Sequence, residues 1–155
     1  MFELRSFQPD DAAAVWKLHD AALEDAGVHG GRGPWEDDLR DIAATYLDSG
    51  GDFLVGLAGV DLVGMGGFLR HNSEQAEIKR MRVRPEFQRR GLGRQILEEL
   101  ETRARALDYR EIRLDTTEGQ VAARRLYESA GYRETGQRRQ GRFLFIDYRK
   151  PLSPG

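Results

Sequence analysis

The chain contains no cysteine. That absence removes a disulfide framework, a thiolate nucleophile and a cysteine metal site together. It also fits a reducing compartment, and a cytoplasmic protein is expected. No apolar run reaches the length needed to span a bilayer, so no membrane partner is expected. The opening Met1-Phe2-Glu3-Leu4-Arg5 has no basic region followed by an apolar stretch, and so does not read as a signal peptide. Histidine is scarce. His19, His29 and His71 stand apart in the sequence and do not make a metal set. An excess of either charge is missing too: 24 basic residues face 26 acidic ones, for a net charge of -2. A globally basic nucleic-acid binder is thereby disfavoured. Lysine is almost absent, with Lys17, Lys79 and Lys150 the only examples, so nearly all the positive charge is arginine.

What is present is an ordinary globular balance, 39% hydrophobic and 32% charged over 155 residues. That length can bury a core without disulfides, and one domain is expected over 1–150 with a frayed tail at 151–155. Phe2 to Phe7 alternates as a strand. Pro9-Asp10-Asp11 is a helix-start signal, and Val15, Leu18 and Ala22 follow at helical spacing. Residues 27–34 are glycine-rich and irregular. A second helix is expected from Trp35 or Glu36 to Leu47, stopped by Ser49-Gly50-Gly51. Strands around 53–58 and 62–69 form a hairpin about Gly59-Val60-Asp61, and residues 76–83 form a third. The alternation in that third strand is imperfect on both faces. Ile78, Arg80 and Arg82 would share one face and Glu77, Lys79, Met81 and Val83 the other, unless a bulge or ligand intervenes. Leu92, Ile96, Leu97, Leu100 and Ala104 make a clear helix stripe. A strand around 112–114, a helix at 121–130 and two last strands follow. The order β, α, α, three strands, α, β, α, β, β predicts an α+β fold. Its centre is a mostly antiparallel mixed sheet of about seven strands, flanked by about four helices.

The densest chemistry lies in Gln88-Arg89-Arg90-Gly91-Leu92-Gly93-Arg94, between a strand and an amphipathic helix. Two glycines let backbone N–H groups approach a ligand closely. The helix they open carries about half a positive charge at its N-terminus, and three arginines lie beside it. Such a loop suits a pyrophosphate. It is not a Walker loop, since no Lys-Ser or Lys-Thr follows the glycines, and it lacks the third glycine of a dinucleotide fingerprint.

Residues 82–97, Arg82-Val83-Arg84-Pro85-Glu86-Phe87-Gln88-Arg89-Arg90-Gly91-Leu92-Gly93-Arg94-Gln95-Ile96-Leu97, resemble the acetyl-coenzyme A motif of the GNAT family of N-acetyltransferases. Residues 123–132, Ala123-Arg124-Arg125-Leu126-Tyr127-Glu128-Ser129-Ala130-Gly131-Tyr132, resemble that family's second block. The resemblance implies acetyl transfer from acetyl-CoA directly to a primary amine, of a small molecule or a protein, within a ternary complex and without a metal. The pyrophosphate would sit on the backbone of residues 89–94, aided by Arg89, Arg90 and Arg94, with Gln88, Gly91, Leu92 and Gly93 shaping the loop. The pantetheine arm would pair with Met81 and Val83. Gln120 stands where many relatives carry an asparagine that touches that arm. Family members are often dimers, so a homodimer is a further implication.

Two residues then take chemical roles. Glu77 follows Ala76 on the strand before the loop, where some relatives carry a base that deprotonates the amine, often through water. It is equally a surface strand glutamate, or a partner of Arg80 or Arg82. Tyr127 matches the family tyrosine that protonates the leaving thiolate, and it also lies on the apolar stripe of its helix. The acceptor would sit between the first two helices and the last hairpin. That region offers His29, Arg32, Trp35, Glu36, Asp37, Asp38, Phe143, Phe145 and Tyr148. The glycine-rich segment is a candidate lid there, and Thr116 and Thr117 either line the acceptor side or cap a helix. Asp20, Glu24, Asp25, Glu36, Asp37, Asp38 and Asp41 either draw in a cationic amine or form a solvated helix face. The rival reading is a non-catalytic sensor that binds acyl-CoA.

Overall fold

The computed structural model describes residues 2–25 and 33–153, apart from the side chains at 25 and 34. Residues 27–32 of the glycine-rich segment expected as a lid, with His29 and Arg32, therefore lie outside the described residues. Seven strands form one sheet in the order β1-β2-β3-β4-β5-β7-β6. They are β1 (Glu3–Ser6), β2 (Asp52–Ala58), β3 (Asp61–Arg70), β4 (Gln75–Val83), β5 (Glu111–Thr117), β6 (Arg133–Gln140) and β7 (Phe143–Pro151). Every neighbouring pair is antiparallel except β4 with β5. The helices are α1 (Ala12–Asp25), α2 (Asp37–Arg40), α3 (Ile42–Thr45), α4 (Leu92–Ala106) and α5 (Val121–Ser129).

Each face of the sheet has its own core. On one face α4 buries Leu92, Ile96, Leu97, Leu100 and Ala104 against Leu54, Phe68, Ala76 and Ile112, and Tyr127 of α5 joins the same cluster. On the other face α1, α2 and α3 bury Val15, Leu18, Leu39, Ile42 and Tyr46 against Phe53, Val55 and Met65. A buried leucine or isoleucine contributes about 1.5–3 kcal/mol, so the α4 stripe anchors that helix firmly. Glycines in β3 let it come close. A Cβ on Gly64 would lie 2.8 Å from Leu92 Cδ2, and one on Gly66 would lie 2.6 Å from Met81 Sδ and 3.0 Å from Ile96 Cγ2. Gly64 and Gly66 are thus a bed for α4 and for Met81.

Several expectations change. The helix expected over 35–47 is two short helices parted at Asp41, whose φ of -148° leaves the helical region and whose carboxylate accepts from Ala44 N at 3.1 Å. An aspartate side chain competes with the helical ladder in this way. In β4 the imperfect alternation is a bulge: Arg80 has φ +62° and the register against β3 slips between Met65 and Gly67. Below the bulge Ala76 and Ile78 face α4, and above it Met81 and Val83 do. Ile78 therefore shares a face with Met81 and Val83 rather than with Arg80 and Arg82. At the C-terminal end, Pro151 pairs with Glu111 in β7, Leu152 N donates to Arg110 O at 2.8 Å, and Leu152 is buried. Pro151 belongs to the sheet and Leu152 is tied down beside it, so neither is part of a frayed tail.

Candidate active site

β4 and β5 pair only through Gln75–Glu77 against Glu111–Arg113. Beyond that they part, and β5 continues along β7 while the β4 edge is left open from residue 78. The opening leads into a cavity of about 1140 Å³. Its walls are β4 at Met81, Arg82 and Val83, the glycine loop, the first turns of α5, and the β6–β7 turn at Arg142 and Phe143. Ala22 and Leu23 of α1 close the far side.

The glycine loop makes one end. A single turn at Pro85–Phe87 leads the chain out of β4, and the Gln88 amide ties it back by donating to Val83 O at 3.1 Å. Arg89 and Gly91 take left-handed φ values of +64° and +86°. Gly91 is the N-cap of α4 with no side-chain cap, and the first N–H of this stretch that has a backbone partner is Gln95, bonded to Gly91 O. The N–H groups of residues 89–94 have no acceptor among the described residues. A row of free donors at a helix start is an anion cradle, and it fits a diphosphate. A Cβ on Gly93 would meet Leu126 Cδ2 at 3.4 Å and Val83 Cγ2 at 3.8 Å, so this position is where the backbone is bared between α4 and α5. The Arg94 guanidinium donates to the Ser129 hydroxyl, which spans that gap.

Among the expected site residues, Met81, Val83, Gln88, Arg89, Gly91, Gly93, Arg94, Gln120 and Tyr127 all line the cavity. Three do not. Leu92 is buried in the core. Arg90 lies over the Phe87 ring, 5.0 Å from its centre. Glu77 stands at the last paired position of β4, half-buried, with Oε1 4.0 Å from His71 Nδ1. Tyr127 is buried, its ring in edge contact with Tyr132, and its hydroxyl makes no hydrogen bond among the described residues. Burial pushes its phenol up to about 12, while Arg82 pulls the other way.

On the α1 side Asp38 and Glu36 are already engaged. Asp38 receives Arg80 Nε at 3.0 Å, Arg80 Nη2 at 2.8 Å and the Tyr46 hydroxyl at 2.6 Å. Burial alone would raise the Asp38 carboxyl, but the bonds from Arg80 and Tyr46 outweigh it and hold the group below the usual range. His19, which looked isolated in sequence, is buried with Glu36, its Nε2 2.5 Å from Glu36 Oε2. Burial holds His19 below its ordinary value, with Arg82 and Arg80 adding to the effect. His19, Asp20 and Glu36 can each present an atom within 4.8 Å of the others, the spacing of a metal set, although the Glu36 contact already occupies the histidine Nε2. None of the acidic residues expected to draw in a cationic amine lines the cavity among the described residues. Tyr148, expected near the acceptor, is buried under α5, accepting from Arg124 Nε at 3.2 Å and donating to Glu128 at 2.8 Å. Phe143 lines the cavity, whereas Phe145 lies under the Arg138 guanidinium.

Sequence reasoning missed the lining residues Arg125, Arg142, Ala22 and Leu23, and gave Arg82 no role in the site. Only the bulge at Arg80 decides that Arg82 faces α1, and no local spacing announces where a bulge falls.

A sheet that splays between its two parallel strands, with a bare helix start at one side of the gap, defines a class. The model of the acetyltransferase (GNAT) family matches residues 13–132. The chain belongs to that family of acetyl-CoA-dependent acyltransferases. Human N-acetyltransferase 8 is 33% identical over 106 residues, which is 64% of this chain and 47% of that protein. The matched stretch thus spans about half of that relative's length. A GNAT-family acetyltransferase from Staphylococcus aureus superposes with a TM-score of 0.89 at 17% identity, covering 99% of this chain and 100% of the other. A phosphinothricin acetyltransferase from Sinorhizobium meliloti, solved in complex with acetyl-CoA, superposes with a TM-score of 0.82 at 18% identity, covering 99% and 90%.

Proposed function

We propose that the protein transfers acetyl from acetyl-CoA directly to a primary amine of a small molecule, within a ternary complex. The observation that carries this reading is the row of unpartnered N–H groups at 89–94 beside the open edge of β4. The diphosphate of the co-substrate would lie on those donors, with Arg89 and Arg94 lining the same end. Its arm would then run along Met81 and Val83 into the gap between β4 and β5, past Gln120. With no cysteine in the chain, a cysteinyl acyl-enzyme cannot form, so the amine attacks the thioester itself.

Attack needs a neutral amine and a proton for the departing thiolate. Tyr127 supplies the second: its phenol is in the wall of the cavity, unbonded, and stays protonated well above neutral pH. Glu77 supplies the first, acting through water from the point where β4 and β5 separate. A reducing compartment such as the cytoplasm fits a chain without cysteine. No helix among the described residues is long and apolar enough to cross a membrane.

Thiol release from acetyl-CoA, measured with a panel of amines, tests the reading. Stimulation by at least one amine, with the acetylated amine recovered, is expected. Tight coenzyme binding with no amine that speeds release would replace the enzyme with a sensor.

A further inference from the structure

Arg82 is the one cavity arginine that the fold turns toward α1. It pairs with Met65, which belongs to the core on the α1 side, whereas the phosphate-binding loop opens a helix on the opposite face. Its neighbour Arg80 is fully engaged, bidentate on Asp38 and bonded to Trp35 O at 2.5 Å. Arg82 is not. Its single hydrogen bond runs from Nη1 to the adjacent Met81 O at 3.1 Å. Its Nε is buried without a partner, and it makes no ion pair with any described carboxylate. A guanidinium in that state carries a desolvation penalty with one hydrogen bond and no ion pair in return.

The surroundings sharpen the point. The cavity wall holds Arg82, Arg89, Arg94, Arg125 and Arg142 against Glu118 alone among the described residues. Arg142 stands over the Phe143 ring at the hairpin side, 5.0 Å from its centre. A polycationic acceptor would meet repulsion on entry. An amine that also bears an anion would meet a desolvated, planar donor whose geometry matches a carboxylate.

We propose that Arg82 is a specificity-determining residue that binds the carboxylate of the acceptor, so that the substrate class is small amino carboxylic acids. This rests on the acetyltransferase reading above and names its acceptor. The guanidinium would hold the carboxylate with its Nε and an Nη, placing the amine toward Tyr127 and the mouth of the β4–β5 gap. The same positive charge favours the neutral form of the nearby amine, which is the nucleophilic one.

The test compares three matched acceptors: an amino acid, its primary amide, and the amine left after decarboxylation. The amino acid is expected to show a kcat/KM at least about tenfold above the other two, as one charge-assisted pair is worth. In Arg82→Met that gap should close through a rise in the amino acid's KM of about 10- to 100-fold. The Kd for coenzyme A should stay near the wild-type value, because the phosphate end is untouched. Melting of the free protein should not fall, since an unpaired buried cation is removed; Arg82→Gln serves as the second variant if the methionine form does not fold. Equal rates for the three acceptors in wild type overturn the inference while leaving acetyl transfer standing. So does a preference that survives in the variants, or a loss of coenzyme affinity in its place. If no amine is acetylated at all, the transferase reading is what fails. Calorimetry of the same three compounds on the coenzyme-saturated protein then decides: carboxylate-selective binding lost with Arg82 supports the inference, and its absence overturns it.

Discussion

Tyr127 holds two features in tension. Its ring is packed among Tyr132 and Tyr148 as a core residue would be, yet Tyr127 lines the cavity and its hydroxyl has no hydrogen bond among the described residues. A hydroxyl that serves packing alone finds a partner when buried, as Tyr132 does on Glu101 at 2.9 Å and Tyr148 does on Glu128. Tyr127→Phe keeps the ring and removes only the proton donor. Its kcat should fall by about 10²–10⁴-fold, the usual worth of a general acid, with the KM for acetyl-CoA little changed. A kcat within twofold of wild type would remove Tyr127 from the chemistry. The phenol also predicts a pH effect on stability. Burial raises its value from 10.0 to about 12, so its contribution is present in full below pH 10 and is lost as pH rises through about 12. Tyr127→Phe should therefore resist alkaline unfolding better than wild type across that window, followed by circular dichroism. That Tyr127 lines the cavity was legible in sequence from its place in the second block. That Arg82 does so was not, and its lack of partners shows only in three-dimensional contacts.

At the scale of elements, the site depends on how close α4 sits to β3 and α5. Two glycines test the two contacts separately. Gly66→Val drives a methyl into Met81 and Ile96, and overpacking of this kind costs about 1–3 kcal/mol. A lower denaturation midpoint is expected, with weaker coenzyme binding as α4 is pushed off its bed. Gly93→Val makes only ordinary contacts at its Cβ, so the fold should hold, but the added bulk fills the slot between α4 and α5. Coenzyme affinity should drop by about tenfold or more, as expected where a backbone must approach a ligand closely. An unchanged Kd in a folded Gly93→Val protein would move the diphosphate away from this helix start. Element order, the α4 stripe and the hairpin at Gly59 could all be read from periodicity and turn residues. The break at Asp41 and the bulge at Arg80 could not. Each turns on a single residue: at Asp41 a short-range cap to Ala44 N wins over the apolar periodicity, and at Arg80 the bulge goes with a tertiary partner, Asp38.

For the whole molecule, net charge conceals a separation of charge. The chain totals -2, yet the cavity wall carries five arginines against Glu118 among the described residues. Elsewhere the acids are spent on structure: Asp11 on Arg5, Asp52 on Arg103 and Glu101 on Lys150. The local field, not the total, governs an anionic co-substrate. Screening shortens from about 10 Å at 0.1 M salt to about 3 Å at 1 M. The exposed arginines at 89 and 125 should then lose most of their pull, while the backbone donors of residues 89–94, on which the diphosphate is proposed to lie, should keep theirs. Calorimetric Kd values for coenzyme A should accordingly rise by roughly tenfold over that salt range and then level off. Arg125→Gln should start weaker and show a shallower slope, because one screened charge is already gone. A Kd indifferent to salt would mean that the arginines take no part in drawing the coenzyme in, and that the bare helix start alone accounts for its capture.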